Sequence, residues 1–128
     1  MKPGQGFLGG SFIPEQLPTW LMENDGAYYV DTYKRTGFRS GLNWYRNIDR
    51  NWELSAAWEG ESVRQPALFI AGTDDPVIKG FGAKAVEQLP TTVPGLKSVL
   101  LIDGGGHWIQ QEHGQEVNTK LIEFLRSL

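Results

Sequence analysis

Ser98-Val99-Leu100-Leu101-Ile102-Asp103-Gly104-Gly105-Gly106-His107-Trp108-Ile109-Gln110-Gln111-Glu112 is the stretch on which the reading of this chain turns. The apolar run from Ser98 to Ile102 reads as a buried strand. Three glycines then turn the chain sharply, a histidine sits on the turn, and a helical pattern follows. A side chain on a loop just past the end of a parallel strand is held by a rigid scaffold and still reaches a cleft. Catalytic bases of α/β proteins sit in such places.

A second unit of the same kind lies upstream. Pro66-Ala67-Leu68-Phe69-Ile70-Ala71 is a short continuous apolar run ending at Gly72, as expected of a parallel strand covered on both faces. Gly72-Thr73-Asp74-Asp75-Pro76 has strong turn chemistry. Phe81 to Leu89 reads as a helix ended by Pro90, and Pro94-Gly95 as a turn into the next strand. The last helix begins near Gln111 or Gly114 and runs to Leu128, with Val117, Leu121, Phe124, Leu125 and Leu128 on one face. Strand, loop, helix, strand, loop, helix predicts a right-handed crossover at the edge of a parallel sheet. Such sheets need both faces covered and usually more than two strands. The expectation is therefore the C-terminal piece of a larger sheet, or a chain that completes itself by association.

The first half has a different character. Residues 1–18 are rich in Gly and Pro and read as loop. Gly4-Gln5-Gly6-Phe7-Leu8-Gly9 matches the dinucleotide pattern G-x-G-x-x-G, but only three residues precede it, so no strand can lead into it. Thr19 reads as an N-cap for a short helix through Met22, broken at Asn24-Asp25-Gly26. Asp25 then caps a second helix through Ala27, Tyr28, Val30 and Tyr33, ended by Gly37. Ser40 caps a third carrying Leu42, Tyr45, Ile48 and Trp52. The domain division expected is 1–62, helical, and 63–128, α/β.

Composition narrows the function classes. The 128 residues are 40% hydrophobic and 21% charged, ordinary globular usage with length for one modest core. Twelve basic and fifteen acidic residues give a net charge of -3. No basic field exists to hold nucleic acid, although arginines are interleaved with aromatics near Trp44 and Trp52. No apolar run approaches the roughly 20 residues of a membrane span. There are no cysteines, hence no disulfide framework or thiol chemistry. A cytoplasmic protein with no nucleic-acid or membrane partner is expected.

The chemistry is carried by Asp75 and His107. Adjacent parallel strands put both loops at the same end of the sheet, where a carboxylate can orient an imidazole and stabilise its charged form. Acid before histidine is the order of the α/β-hydrolase triad. Asp74 is a rival acid, and a plain turn aspartate with a solvated histidine is the bland alternative. A metal set of His107, Glu112 and His113 lacks a third well-spaced His or Cys. No cofactor or metal is expected.

Three ordered motifs resemble the soluble epoxide hydrolases of the α/β-hydrolase fold. Gly41-Leu42-Asn43-Trp44-Tyr45-Arg46-Asn47 resembles the cap motif of that family. Residues Pro66 to Pro76 resemble its acid-bearing strand and loop, and Gly106-His107-Trp108-Ile109-Gln110-Gln111-Glu112 its histidine loop. Leu17 to Phe38 is similar to the cap helices before the tyrosine motif. The resemblance implies that residues 1–62 are the C-terminal part of a helical cap, or lid, and 63–128 the last two strand–helix units of the core. It implies a small epoxide as substrate, opened to a vicinal diol through an alkyl-enzyme ester. In it Tyr45 would donate to the epoxide oxygen, His107 would activate water, and Asp75 would orient His107; Trp44 and Trp108 would line the substrate.

The departure from the family is large. The nucleophile elbow, the oxyanion loop and the second cap tyrosine are expected upstream, and this chain has no elbow. Tyr28, Tyr29 and Tyr33 fall within the cap helix and are not assigned that role. Association with an N-terminal part of the fold, or self-association, is implied. The alternatives are a non-catalytic remnant of the same fold or another α/β-hydrolase, a dehalogenase or esterase.

Overall fold

The computed structural model describes residues 14–128. The Gly4–Gly9 pattern lies outside the described residues. Two compact units are present, Met1–Arg39 and Ser40–Leu128.

Among the described residues of the first unit a single helix, α1 (Glu23–Thr36), replaces the two expected. The Thr19 cap is not used, and the helix runs straight through Asn24-Asp25-Gly26. Asp25 is not the residue before a helix but the third residue inside one. Its Oδ2 accepts the Met22 backbone N–H at 3.0 Å, so it satisfies a free donor at the helix start from within. The acid is also well placed against the positive end of the helix dipole. Gly37 does end the helix, at φ 67°, with its N–H donated to the Tyr33 carbonyl. Phe38 folds back to stack on Tyr33, ring centroids 4.5 Å apart.

Helix α2 (Arg39–Arg46) opens at the boundary and lies in the second unit from Ser40 on; α3 (Ile48–Ser55) and a tight turn, Ala56–Trp58, follow. One helix was expected here, starting after Ser40. The chain instead bends at Asn47, whose backbone (φ -91°, ψ 2°) leaves the helical region while its N–H still reaches the Asn43 carbonyl. The bend turns the expected Leu42–Trp52 face into two short faces, and none of these side chains is buried.

The two expected strands form as read. β1 (Ala67–Gly72) and β2 (Leu96–Ile102) pair in parallel, with Leu68 opposite Ser98 and Gly72 opposite Ile102. A π-type turn over Ile78–Gly82 leads into α4 (Ala83–Thr92). Pro90 lies inside α4 rather than ending it. The proline lacks a donor and so forgoes only one bond, to the Val86 carbonyl, in the last turn. The Thr92 hydroxyl adds a separate bond in the same last turn, to the Gln88 carbonyl at 3.3 Å. After β2 come a four-residue helix, α5 (Ile109–Glu112), and α6 (Gly114–Arg126), separated at His113.

Burial concentrates at the carboxyl ends of the strands. Ile102, Ile109 and Val117 form the buried cluster, with Ile70 and Leu100 packed against it. Of the expected α6 face, Val117 is buried and Phe124 half-buried, while Leu121, Leu125 and Leu128 are exposed. Among the described residues no helix is long and apolar enough to cross a membrane.

Where the two loops meet, Gly72 has no room for a side chain: a Cβ there would collide with the carbonyl groups of Gly105 and Gly106. Gly41, inside α2, has nothing within 4 Å. Opposite outcomes are expected in urea unfolding. Gly72→Ala should destabilise by about 2–3 kcal/mol, as overpacking does, whereas Gly41→Ala should stabilise by about 0.5–1 kcal/mol through helix propensity.

Candidate active site

The loop after β1 and the loop after β2 are tied together by backbone before any side chain acts. Thr73 N–H donates to the Ile102 carbonyl at 2.9 Å, and Asp74 N–H to the Gly105 carbonyl at 2.8 Å. The Thr73 hydroxyl accepts the Gly104 N–H at 2.9 Å and lies 3.4 Å from Asp103 Oδ1. Gly104 takes φ 69°, a left-handed value that glycine tolerates best, and so permits the sharp turn.

This frame brings Asp75 to His107. His107 Nδ1 is 3.0 Å from Asp75 Oδ2. The other carboxylate oxygen accepts the Val77 N–H at 2.7 Å. Asp75 is 8% exposed, the one buried charged residue among those described. Burial pushes its carboxyl up, but the Val77 amide, the hydrogen bond and charge of His107 and the Ile78 amide outweigh it. The group is held below its ordinary value. An ionised Asp75 can only accept, so His107 carries its proton on Nδ1 and keeps the Nε2 lone pair for chemistry. The rival Asp74 is engaged elsewhere, 2.7 Å from Lys79 Nζ. The geometry thus separates two neighbours that the sequence left open.

Trp108 stands beside the histidine, edge to face, with centroids 5.5 Å apart. Tyr45 and Trp44 on α2 are 72% and 78% exposed. Among the described residues neither is joined to Asp75 or His107 by a hydrogen bond or an aromatic contact. The structure therefore brings together the acid and the base and leaves the expected tyrosine apart from them. A metal set does not assemble: among the described residues no three His, Cys, Asp or Glu are grouped to hold an ion. Glu112, weighed as a ligand, instead accepts the N–H groups of Gly106 and Trp108, at 2.5 and 2.9 Å.

Sequence reasoning missed that role of Glu112. The available signal was an acid four residues after Trp108, one turn into a helix that begins with unsatisfied donors.

No protein-family model matches the chain. Individual proteins do. It is 43% identical, over its whole length, to epoxide hydrolase A of Mycobacterium tuberculosis. It is 38% identical to epoxide hydrolase 1 of Siraitia grosvenorii over 88% of its length. The chain is a homologue of the C-terminal portion of the epoxide hydrolases. It spans 39% and 37% of these two relatives' lengths. Solved epoxide hydrolases agree in fold. The crystal structure of epoxide hydrolase A from Mycobacterium thermoresistibile gives a TM-score of 0.82 at 48% identity, covering 88% of this chain and 34% of that one. A Vigna radiata epoxide hydrolase mutant gives 0.92 at 34% identity, covering all of this chain and 41% of the other. The expected fold, part of an α/β-hydrolase with a parallel sheet edge and flanking helices, is thus borne out.

The depressed Asp75 carboxyl sets a pH dependence. Its contribution to stability is complete above its ordinary value of 3.8 and is lost as pH falls through the lower folded-state value. The urea midpoint of the wild-type chain should therefore drop below about pH 4 more steeply than that of Asp75→Asn. The variant Asp74→Asn, which loses only an exposed ion pair, should shift stability by less than about 1 kcal/mol.

Proposed function

We propose that this chain supplies the acid–base half of an epoxide hydrolase. Residues 1–62 serve as the C-terminal part of the cap and 63–128 as the last two strand–helix units of the core. The nucleophile, the oxyanion donors and the second cap tyrosine come from an N-terminal part of the fold. The single observation that carries this reading is the buried, amide-clamped Asp75 carboxylate 3.0 Å from His107 Nδ1.

The division of labour follows from the chemistry. An aspartate nucleophile attacks an epoxide carbon; the C–O bond breaks and the ring oxygen becomes an alkoxide. Tyr45, with a second tyrosine, donates a proton to that oxygen. The resulting alkyl-enzyme ester is then hydrolysed by water. His107 Nε2 takes a proton from that water, and Asp75 holds the ring and stabilises the imidazolium that forms. Trp44 and Trp108 offer flat apolar walls to a small epoxide. The exposed apolar residues Leu121, Ile122 and Leu125 on α6 offer a surface for the N-terminal part to cover. A cysteine-free chain is at home in a reducing compartment, which supports a cytoplasmic setting.

Turnover assays test this directly. Pure 128-residue protein should form no diol from an epoxide. Co-expression with the N-terminal portion of an epoxide hydrolase relative should restore diol formation. In that complex His107→Gln should trap the alkyl ester, visible by intact mass, with turnover down at least about a hundredfold. Tyr45→Phe should slow ester formation by about a hundredfold or more. Diol made by the pure chain and abolished by His107→Gln would overturn the missing-nucleophile reading. A complex that hydrolyses esters or alkyl halides, with Tyr45→Phe silent, would assign the chain to an esterase or dehalogenase.

A further inference from the structure

We propose that Glu112 is a positioning residue that fixes the ring of His107 by accepting the backbone N–H groups of the residue before it and the residue after it. The inference deepens the reading of His107 as a base and rests on it.

The geometry is bidentate across a single residue. Oε2 accepts the N–H of Gly106, the residue before His107, at 2.5 Å. Oε1 accepts the N–H of Trp108, the residue after it, at 2.9 Å. Both bonds have a charged acceptor, which makes them shorter and stronger than neutral amide bonds. The Trp108 amide lies in the peptide that directly follows His107, and the Gly106 amide one peptide before the one that precedes it, so the two bonds limit how the His107 backbone moves relative to Asp75.

Gly106 supplies an independent observation. A Cβ built there would lie 2.8 Å from both Glu112 oxygens. The glycine therefore makes room for the carboxylate, not only for the turn. The need for a clamp is equally plain. Three consecutive glycines precede His107, the most permissive backbone a loop can have. The Asp75 contact alone fixes the ring tip but not the backbone. Glu112 itself stands at the end of α5, whose first residue Ile109 is 5% exposed and packs in the core cluster. The clamp thus relays the rigidity of the core to the histidine.

The test uses no turnover, so its failure and the failure of the hydrolase reading are separable. The 128-residue chain is labelled with 15N, and two readouts are taken for wild type, Glu112→Gln, Glu112→Ala and Gly106→Ala. Amide hydrogen exchange reports the clamp, and the imidazole 15N shifts report the His107 tautomer. Wild type should show protected Gly106 and Trp108 amides and one ring tautomer, protonated on Nδ1. Glu112→Gln keeps one accepting oxygen, so one of the two amides should exchange about tenfold faster. In Glu112→Ala both should accelerate, and the ring should shift to an average of two tautomers. Gly106→Ala retains the carboxylate but displaces it, and should give the same ring averaging. Exchange at Leu100 and Ile102 in β2 monitors the fold. If Glu112→Ala unfolds, the Gln and Gly106 variants decide. A role confined to starting α5 would speed exchange at Gln111 and His113 while leaving the His107 tautomer untouched, and that result overturns the proposal. So does a wild-type ring already averaged over both tautomers.

Discussion

Gly72 and Gly105 touch backbone to backbone, and the site exists because nothing but hydrogen lies between them. The end of β1 and the loop after β2 approach so closely that a Cβ on Gly72 would meet the Gly105 carbonyl, and one on Gly105 would meet the Ile109 side chain. That approach allows the Asp74 N–H to bond the Gly105 carbonyl, closing the two loops into one surface. Asp75 and His107 then meet across the joined loops, 3.0 Å apart. Side chains complete a geometry that glycine backbone has already made, which is why the acid–base pair can be well ordered over so small a core.

How much of this was legible in the sequence differs by element. The strands were, because one continuous apolar run ends at Gly72, the other at Ile102 just before Asp103 and three glycines, and each is followed by turn residues. Asp75 and His107 were legible as a pair, because adjacent parallel strands deliver their loops to one end. Which of Asp74 and Asp75 makes the contact was not, since the choice depends on a one-residue difference in a turn. Helix limits were read less well. By its type Asp25 reads as a cap, yet it caps from inside the helix; Pro90 reads as a stop, yet near a C-terminus it forfeits little. Asn47 bends a pattern that periodicity joins into one helix. Each case is a close local competition that tertiary context decides. Glu112 escaped notice because its partners are backbone amides, which carry no side-chain signature.

The two halves of the chain bear their apolar content differently. In the α/β part Ala71, Ile102, Ile109 and Val117 are the buried apolar side chains among the described residues, and the last three pack together. In the helices before it, Trp44, Tyr45, Trp52 and Trp58 all lie open. Relatives that match throughout are about two and a half times as long, since the chain spans 39% of the first of them. The likeness in fold is nonetheless high over the shared part, with TM-scores of 0.82 to 0.92.

Asp75 and His107 are 32 residues apart along the chain and are joined by a single strand–helix crossover. Closing a loop of that size costs only about 3 kcal/mol beyond a constant, because the entropy grows with the logarithm of length. The pairing that aligns Asp75 with His107 thus needs only one short-range closure, β2 against β1. The contact between Asp75 and His107 is therefore set within one stretch of chain, and its register depends only on how β2 lies against β1.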